Sequence, residues 1–318
     1  MPHRLPFYLC VGLNYMDEMV LSHLYSAILR GKWFIRLEDV EASALLLQQV
    51  LDGSNSKSAE EKLSDRKPLK LQMAQMTSSK SQSEMPDNAV AIIPLHGTML
   101  KYGTYCAYGT VEIAELIREA ANNPKVGGVL LDVDSGGGAV DAIAPILDAL
   151  EYNRSVGKSS VAHCDLAASA AYYAALGCDE IVANNQISAE FGSIGVMMSF
   201  PDYAKYYENA GIKIHTIYSN LSDYKNAPFE AAKKGEYDKI KAEELDPLAR
   251  KFQEAVKNKR GDKLVLDTEG ILSGRMFYDE DALACGLIDA VGNRDFAVSR
   301  VRSIRMDATI NDYVKSKL

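Results

Sequence analysis

The chain has 318 residues, 47% of them apolar, a net charge of −8 and a pI near 5.3. That is enough for one good-sized core with an appendage. It also argues against polyanion binding, which needs a basic face. The five cysteines (Cys10, Cys106, Cys164, Cys178, Cys285) are odd in number and form no C-x-x-C pair, as expected of reduced, mostly buried thiols.

No stretch reaches the ~18 apolar residues of a membrane helix, so no membrane anchor is expected. The short apolar run 7–13 follows Arg4 and Pro6, runs into Asn14, Asp17 and Glu18, and has no A-x-A-like cleavage site. A cytoplasmic location, bacterial or host, is therefore expected rather than export. Residues 1–53 read as a helical appendage. Val40, Ala44, Leu47 and Leu51 repeat at helical spacing before Gly53, and an amphipathic stretch 19–29 stops at Gly31. Two short helices bury little alone, so they should pack on the main domain or on a neighbouring chain. Residues 54–88 are rich in Ser, Lys, Glu and Gln and read as a flexible linker.

From residue 89 to about 300, strands and helices alternate, and 301–318 is left as a C-terminal tail. The pattern predicts strands over 89–95, 128–134, 160–163, 181–183, 194–198 and 213–218. It predicts helices over 110–122, 140–152, 169–176 and 228–259. Strands and helices at this spacing mean an α/β domain of stacked units.

Three features of this domain carry chemistry. Asp134-Ser135-Gly136-Gly137-Gly138 lies where a buried strand meets a helix, and consecutive glycines leave backbone N–H groups open to an anion or an oxyanion. It is neither a Walker loop nor G-x-G-x-x-G, so nucleotide binding is poorly supported. Ser169 sits among Ala167, Ala168, Ala170 and Ala171 at the start of a helix, where a substrate backbone can approach closely. Lys225 lies in the polar loop Ser222-Asp223-Tyr224-Lys225-Asn226. Each has an ordinary reading alone: a tight turn, an N-cap serine, a solvated lysine. Together they suggest more. A serine needs a base, and none of His3, His23, His96, His163 and His215 falls after the serine where a ClpP-type triad would require it. A desolvated lysine can do that work.

Five segments in order resemble the signal peptide peptidase A family, especially its shorter phage and prophage members that act as head maturation proteases. They are Ile93-Pro94-Leu95-His96-Gly97, the strand and turn 128–138, Ala168-Ser169-Ala170-Ala171-Tyr172-Tyr173, Phe191-Gly192-Ser193-Ile194-Gly195-Val196, and the lysine loop through Pro228-Phe229. The resemblance covers about 200 residues. It implies a ClpP/crotonase-like spiral of stacked β-β-α units and a serine endopeptidase with a Ser–Lys dyad. Ser169 would be the nucleophile and Lys225 the base. Gly138 and Ala170 N–H groups would form the oxyanion hole, with Gly137 shaping the turn and Ser193 holding the lysine amine. The resemblance also implies a protein or peptide substrate, a ring-shaped homo-oligomer with serine and lysine from adjoining subunits, and capsid and scaffold proteins as partners. It involves no cofactor, metal or nucleic acid. A peptidase of this kind could also cut its own linker.

Two departures stand out. Gly136 replaces a common proline, leaving open which glycine N–H points inward, and Ala170 and Ala171 replace glycines. The alternatives are a crotonase-like acyl-CoA enzyme, which would rely on Glu or Asp and not on Ser169 with Lys225, and an inactive structural subunit of a procapsid.

Overall fold

The computed structural model describes residues 32–35, 72–73, 86–103, 107–200, 202 and 204–315. The expected helices over 19–29 and 40–51 and most of the linker lie outside them. The first elements are β1 (Lys32–Ile35), β2 (Gln72–Met73), β3 (Ala89–His96), α1 (Thr110–Asn122), β4 (Val126–Ser135), β5 (Gly137–Ala139), α2 (Ile143–Ser155), β6 (Ser159–Ala168) and α3 (Ala170–Ala175). There follow β7 (Glu180–Ala183), β8 (Glu190–Gly192), β9 (Met197–Met198), α4 (Ala204–Asn209), α5 (Ala227–Ala232), α6 (Asp246–Arg260), β10 (Met276–Tyr278), α7 (Asp279–Ala284), β11 (Ala290–Val291) and α8 (Arg294–Lys315).

The main sheet runs β10-β8-β6-β4-β3-β2. β3, β4, β6 and β8 are parallel, and β2 and β10 add antiparallel edges. β6 pairs with β7 along its first half and with β8 along its end. β3 reads as a near-continuous apolar run because helices cover both faces of the sheet. Ala91, Ile93 and Leu95 enter the large core with α1, α2, α3 and α6, while Val90 and Ile92 pack with Val298 and Val301 of α8. α1 forms where predicted. Ile113, Leu116, Ile117 and Ala120 recur at helical spacing and are buried, and the Glu112 carboxylate caps the helix by accepting the Gly109 N–H at 2.8 Å. Truncating Ile117 to alanine removes buried methyl groups worth about 2–5 kcal/mol.

The α/β class and the stacked strand–helix units are those the sequence predicts. Several details differ. Within the N-terminal stretch expected to be helical, residues 32–35 form a strand, favoured by the consecutive Trp, Phe and Ile. Gln72 and Met73, inside the expected linker, pair with the β3 edge. The strand expected over 213–218 is irregular and largely exposed, because no neighbouring strand edge among the described residues meets it. Of 194–198 only Met197–Met198 pair. The helix expected over 228–259 breaks at Gly235, whose φ is +83°, and resumes through a wide turn, Lys241–Leu245, into α6. α8 runs unbroken past residue 300, across the expected start of the tail. Cys164, Cys178 and Cys285 are free and buried, and burial pushes the Cys178 thiol up to about 12. Among the described residues no helix is long and apolar enough to cross a membrane.

Candidate active site

The candidate site lies at the carboxyl ends of β4 and β6, where open parallel sheets place their ligands. β4 ends on Ser135, which is buried. Its hydroxyl donates to the Gly97 carbonyl at 2.5 Å and accepts the Gly137 N–H at 3.1 Å. The backbone then turns through Gly137, at a φ of +105° that disfavours any side chain. The Met99 N–H donates to the Gly137 carbonyl at 2.8 Å, and the Ala139 N–H donates to the Met99 carbonyl at 2.9 Å. A Cβ at Gly138 would lie 2.0 Å from that carbonyl, so the close approach of the 97–99 backbone requires glycine there.

These bonds bear on which glycine N–H is available. The Gly137 N–H, expected near the oxyanion hole, donates to the Ser135 hydroxyl. The Ala139 N–H is taken by Met99. Successive residues of a strand direct their N–H groups to opposite edges, so the Gly138 N–H faces away from Met99, toward β1.

Ser169 occupies the junction of β6 and α3 and is 1% exposed. Its φ of +54° and ψ of −116° are sparsely populated for a side-chain-bearing residue and cost about 1–3 kcal/mol. A serine on a strained strand-to-helix turn is the geometry of a nucleophile elbow, which lifts the hydroxyl clear of the backbone. The surroundings over-determine the strain. The Ser169 N–H donates to the Gly192 carbonyl at 2.8 Å, and the Ser169 carbonyl accepts the Tyr173 N–H at 2.9 Å. Gly192 is itself confined, since a Cβ there would meet the Arg275 carbonyl at 2.3 Å. Ser193, at a φ of +53°, donates its N–H to the same carbonyl at 3.0 Å. α3 is fastened by the Tyr172 hydroxyl, which donates to the Leu287 carbonyl at 2.7 Å, and by Tyr173 stacked on Phe252 at 4.7 Å. The Ala170 N–H lies in the first turn of α3, where no intrahelical acceptor exists.

Lys225 stands apart. It lies in an exposed turn, with its N–H donating to the Ser222 carbonyl at 3.1 Å. Tyr224 holds that turn through its hydroxyl bond to Glu243 at 2.5 Å and the Lys239 amine 4.1 Å above its ring. Among the described residues the Lys225 amine makes no hydrogen bond or ion pair, and a single chain does not join it to Ser169 or Ser193.

The histidines serve another face. His163 Nε2 lies 3.0 Å from the Gly292 carbonyl and its Nδ1 4.0 Å from Asp132, while His96 Nε2 lies 3.4 Å from Asp132 and Arg294 binds the same carboxylate at 3.1 Å. Six residues before Ser169 along an extended strand, His163 is roughly 20 Å away. Burial pushes its imidazole below the usual range, whereas the Asp132 hydrogen bond raises that of His96. Burial would raise Asp132, but His96 and Arg294 more than offset that and hold it low.

Residues 153–307 match the profile of Peptidase family S49. Over those residues the chain resembles family S49. They include both Ser169 and Lys225. The Head-tail preconnector protein GP5 of Enterobacteria phage P21 is 30% identical over 218 residues, 67% of this chain and 42% of that protein. Capsid assembly protease C of Escherichia phage lambda is 27% identical over 224 residues, 68% of this chain and 49% of that protein. The chain thus spans less than half the length of either relative. Among solved structures, a mutant of the 1510-N membrane-bound stomatin-specific protease is similar at 14% identity and a TM-score of 0.42, covering 68% of this chain and 84% of that one. The candidate site also depends on Met99, which motif reading passed over, and on Ser135 and Gly192, which stood in the quoted motifs without a role of their own. Their signal was their place in or beside those motifs, but their contacts join segments far apart in sequence, 38 residues in the case of Ser135 with Gly97, and exist only in the fold.

Proposed function

We propose that the chain is a serine endopeptidase in which Ser169 is the nucleophile, Lys225 the base, and the two come from adjoining copies in a ring-shaped oligomer. The observation that carries this reading is the contrast at the site. Ser169 is buried and strained, while the exposed Lys225 amine meets no group among the described residues of its own chain. A lysine acts as a base only as the free amine, which removal from water favours. A neighbouring copy would supply that cover. Ile217 and Leu221, at 90% and 96% exposed, flank the lysine turn and offer apolar surface for such a contact.

In this reading the Lys225 amine takes the Ser169 hydroxyl proton as the oxygen attacks the scissile carbonyl carbon. The Gly138 and Ala170 N–H groups receive the oxyanion. Collapse breaks the C–N bond, with the lysine proton passing to the leaving amine, and water then releases the acyl group by the same relay. Ser193, whose backbone adjoins that of Ser169, would orient the lysine amine. The names of the two phage relatives favour proteins of the phage head, capsid or scaffold, as substrates in a host cytoplasm.

The test is complementation. Purified Ser169→Ala and Lys225→Ala chains are each assayed for peptide and casein hydrolysis, alone and after mixing and reassembly. Each alone is inactive, and the mixture regains part of the wild-type rate, because some interfaces pair an intact serine with an intact lysine. Full activity in either single variant refutes the dyad. Two inactive variants that never complement refute the shared site.

A further inference from the structure

The edge of β5 that carries the Gly138 N–H is filled. β1 pairs with it antiparallel, with Trp33 opposite Ala139, Phe34 opposite Gly138 and Ile35 opposite Gly137. On its other side β1 pairs with β9, with Lys32 opposite Met198 and Trp33 opposite Met197. It is therefore the middle strand of a three-stranded sheet, β5-β1-β9. Both flanking strands belong to the candidate site: β5 is the oxyanion turn itself, and β9 follows the loop whose Gly192 holds Ser169. Gly137 and Ala139 use the opposite edge to bond Met99. Strand alternation thus makes Phe34 and Gly138 the narrow pair that exchanges N–H and C=O.

Two short strands separated by one strand's width form a slot that takes an extended polypeptide through its backbone alone. We propose that this slot is the substrate groove and that residues 32–35 sit in it as a built-in competitor, presenting the Phe34 carbonyl to the Gly138 N–H. This rests on the peptidase reading of the same site. The segment is tethered to the domain through residues 36–71, since Gln72 and Met73 pair with β3, so its effective concentration at the slot is on the order of millimolar. A free peptide must displace it, which keeps the isolated chain weakly active toward short peptides. A substrate that presents a longer strand, or loss of the N-terminal segment, relieves the block.

The test uses full-length protein. A fluorescein-labelled synthetic peptide with the sequence of residues 28–40 is titrated into Ser169→Ala and into Ser169→Ala with Phe34→Pro, and read by anisotropy. Proline removes the N–H of the narrow pair and fits an interior strand poorly. We expect at least tenfold tighter binding to the double variant, and a matching rise in peptide kcat/KM for Phe34→Pro with Ser169 intact. Equal affinity for both forms overturns the proposal. Tighter binding with no hydrolysis by any form leaves the occupied slot standing and removes the peptidase reading. Hydrolysis by wild type with no effect of Phe34→Pro does the reverse. A second variant guards against misfolding. Trp33→Cys with Ala139→Cys pairs two residues at a non-hydrogen-bonded position, within disulfide reach. Oxidation should give an intrachain cross-link, seen by peptide mass mapping, that abolishes peptide binding until reduced. No cross-link in folded protein refutes the pairing.

Discussion

The two halves of the candidate site are built in opposite ways. Around Gly138 and Gly192, backbone meets backbone at distances that admit no side chain, and the Gly137, Ala139, Ser169 and Ser193 amides are committed. Around Lys225 the chain is irregular and exposed, with Ile217 and Leu221 bare to water beside a polar turn. Precision costs strain at the first half, and the core holds that strain in place. The second half is left to whatever covers it. Under the proposed dyad, the difference means that one chain would prepare the nucleophile and the oxyanion donor but not the base.

The sharpest break in that contrast is Ser169→Ala. It should lower peptide kcat by about 10⁴-fold or more, with the melting temperature unchanged or raised because alanine fits within the same volume. Gly138→Ala attacks the same half through geometry. Its Cβ would fall 2.0 Å from the Met99 carbonyl, so the turn must shift and misplace the N–H. We expect a loss of about 10²–10³-fold in kcat, the value of one oxyanion donor, measured with folding checked by circular dichroism. Asp289→Ala probes the frame beneath. Burial alone would raise that carboxyl, but Arg260 and Lys263 hold it at about 2. Arg260 is buried, and stripping it of its partner should cost about 3–5 kcal/mol in urea unfolding. Activity per folded molecule should be unchanged.

Smaller effects sharpen the comparison. Asp132→Asn removes the anchor shared by His96 and Arg294. The folded His96 lies above its ordinary pKa, so it stabilises the fold while protonated, and this is lost as pH rises through the folded value. Asp132 is held low, so its own share is lost only as pH falls through the folded carboxyl value. The substitution should therefore destabilise more at pH 6 than at pH 8.5, by up to about 1 kcal/mol on a half-exposed pair, read from thermal melts at both pH values. Lys225→Ala should be the mildest for the single chain, within about 0.5 kcal/mol as for any exposed side chain, despite its predicted effect on turnover. A large loss of monomer stability there would mean the lysine already has a structural partner.

Much of this was legible in the sequence. Apolar runs bounded by Gly and Pro marked β3, β4 and β6, and helical spacing marked α1, because burial on both faces of a sheet writes itself into composition. The glycine run and the alanine-flanked serine marked the prepared half, since close backbone approach admits only small residues. Three things were decided by tertiary structure alone. Ser135 and Met99 select Gly138 over Gly137 as the outward donor, through hydrogen bonds between segments distant in sequence. Residues 213–218 alternate like a strand yet form none, because a strand exists only where a partner edge meets it. Residues 32–35 lie in a stretch of helical pattern yet become a strand, because β5 and β9 leave two unpaired edges one strand apart. Local pattern records what a residue prefers, whereas pairing depends on which edges the fold leaves open.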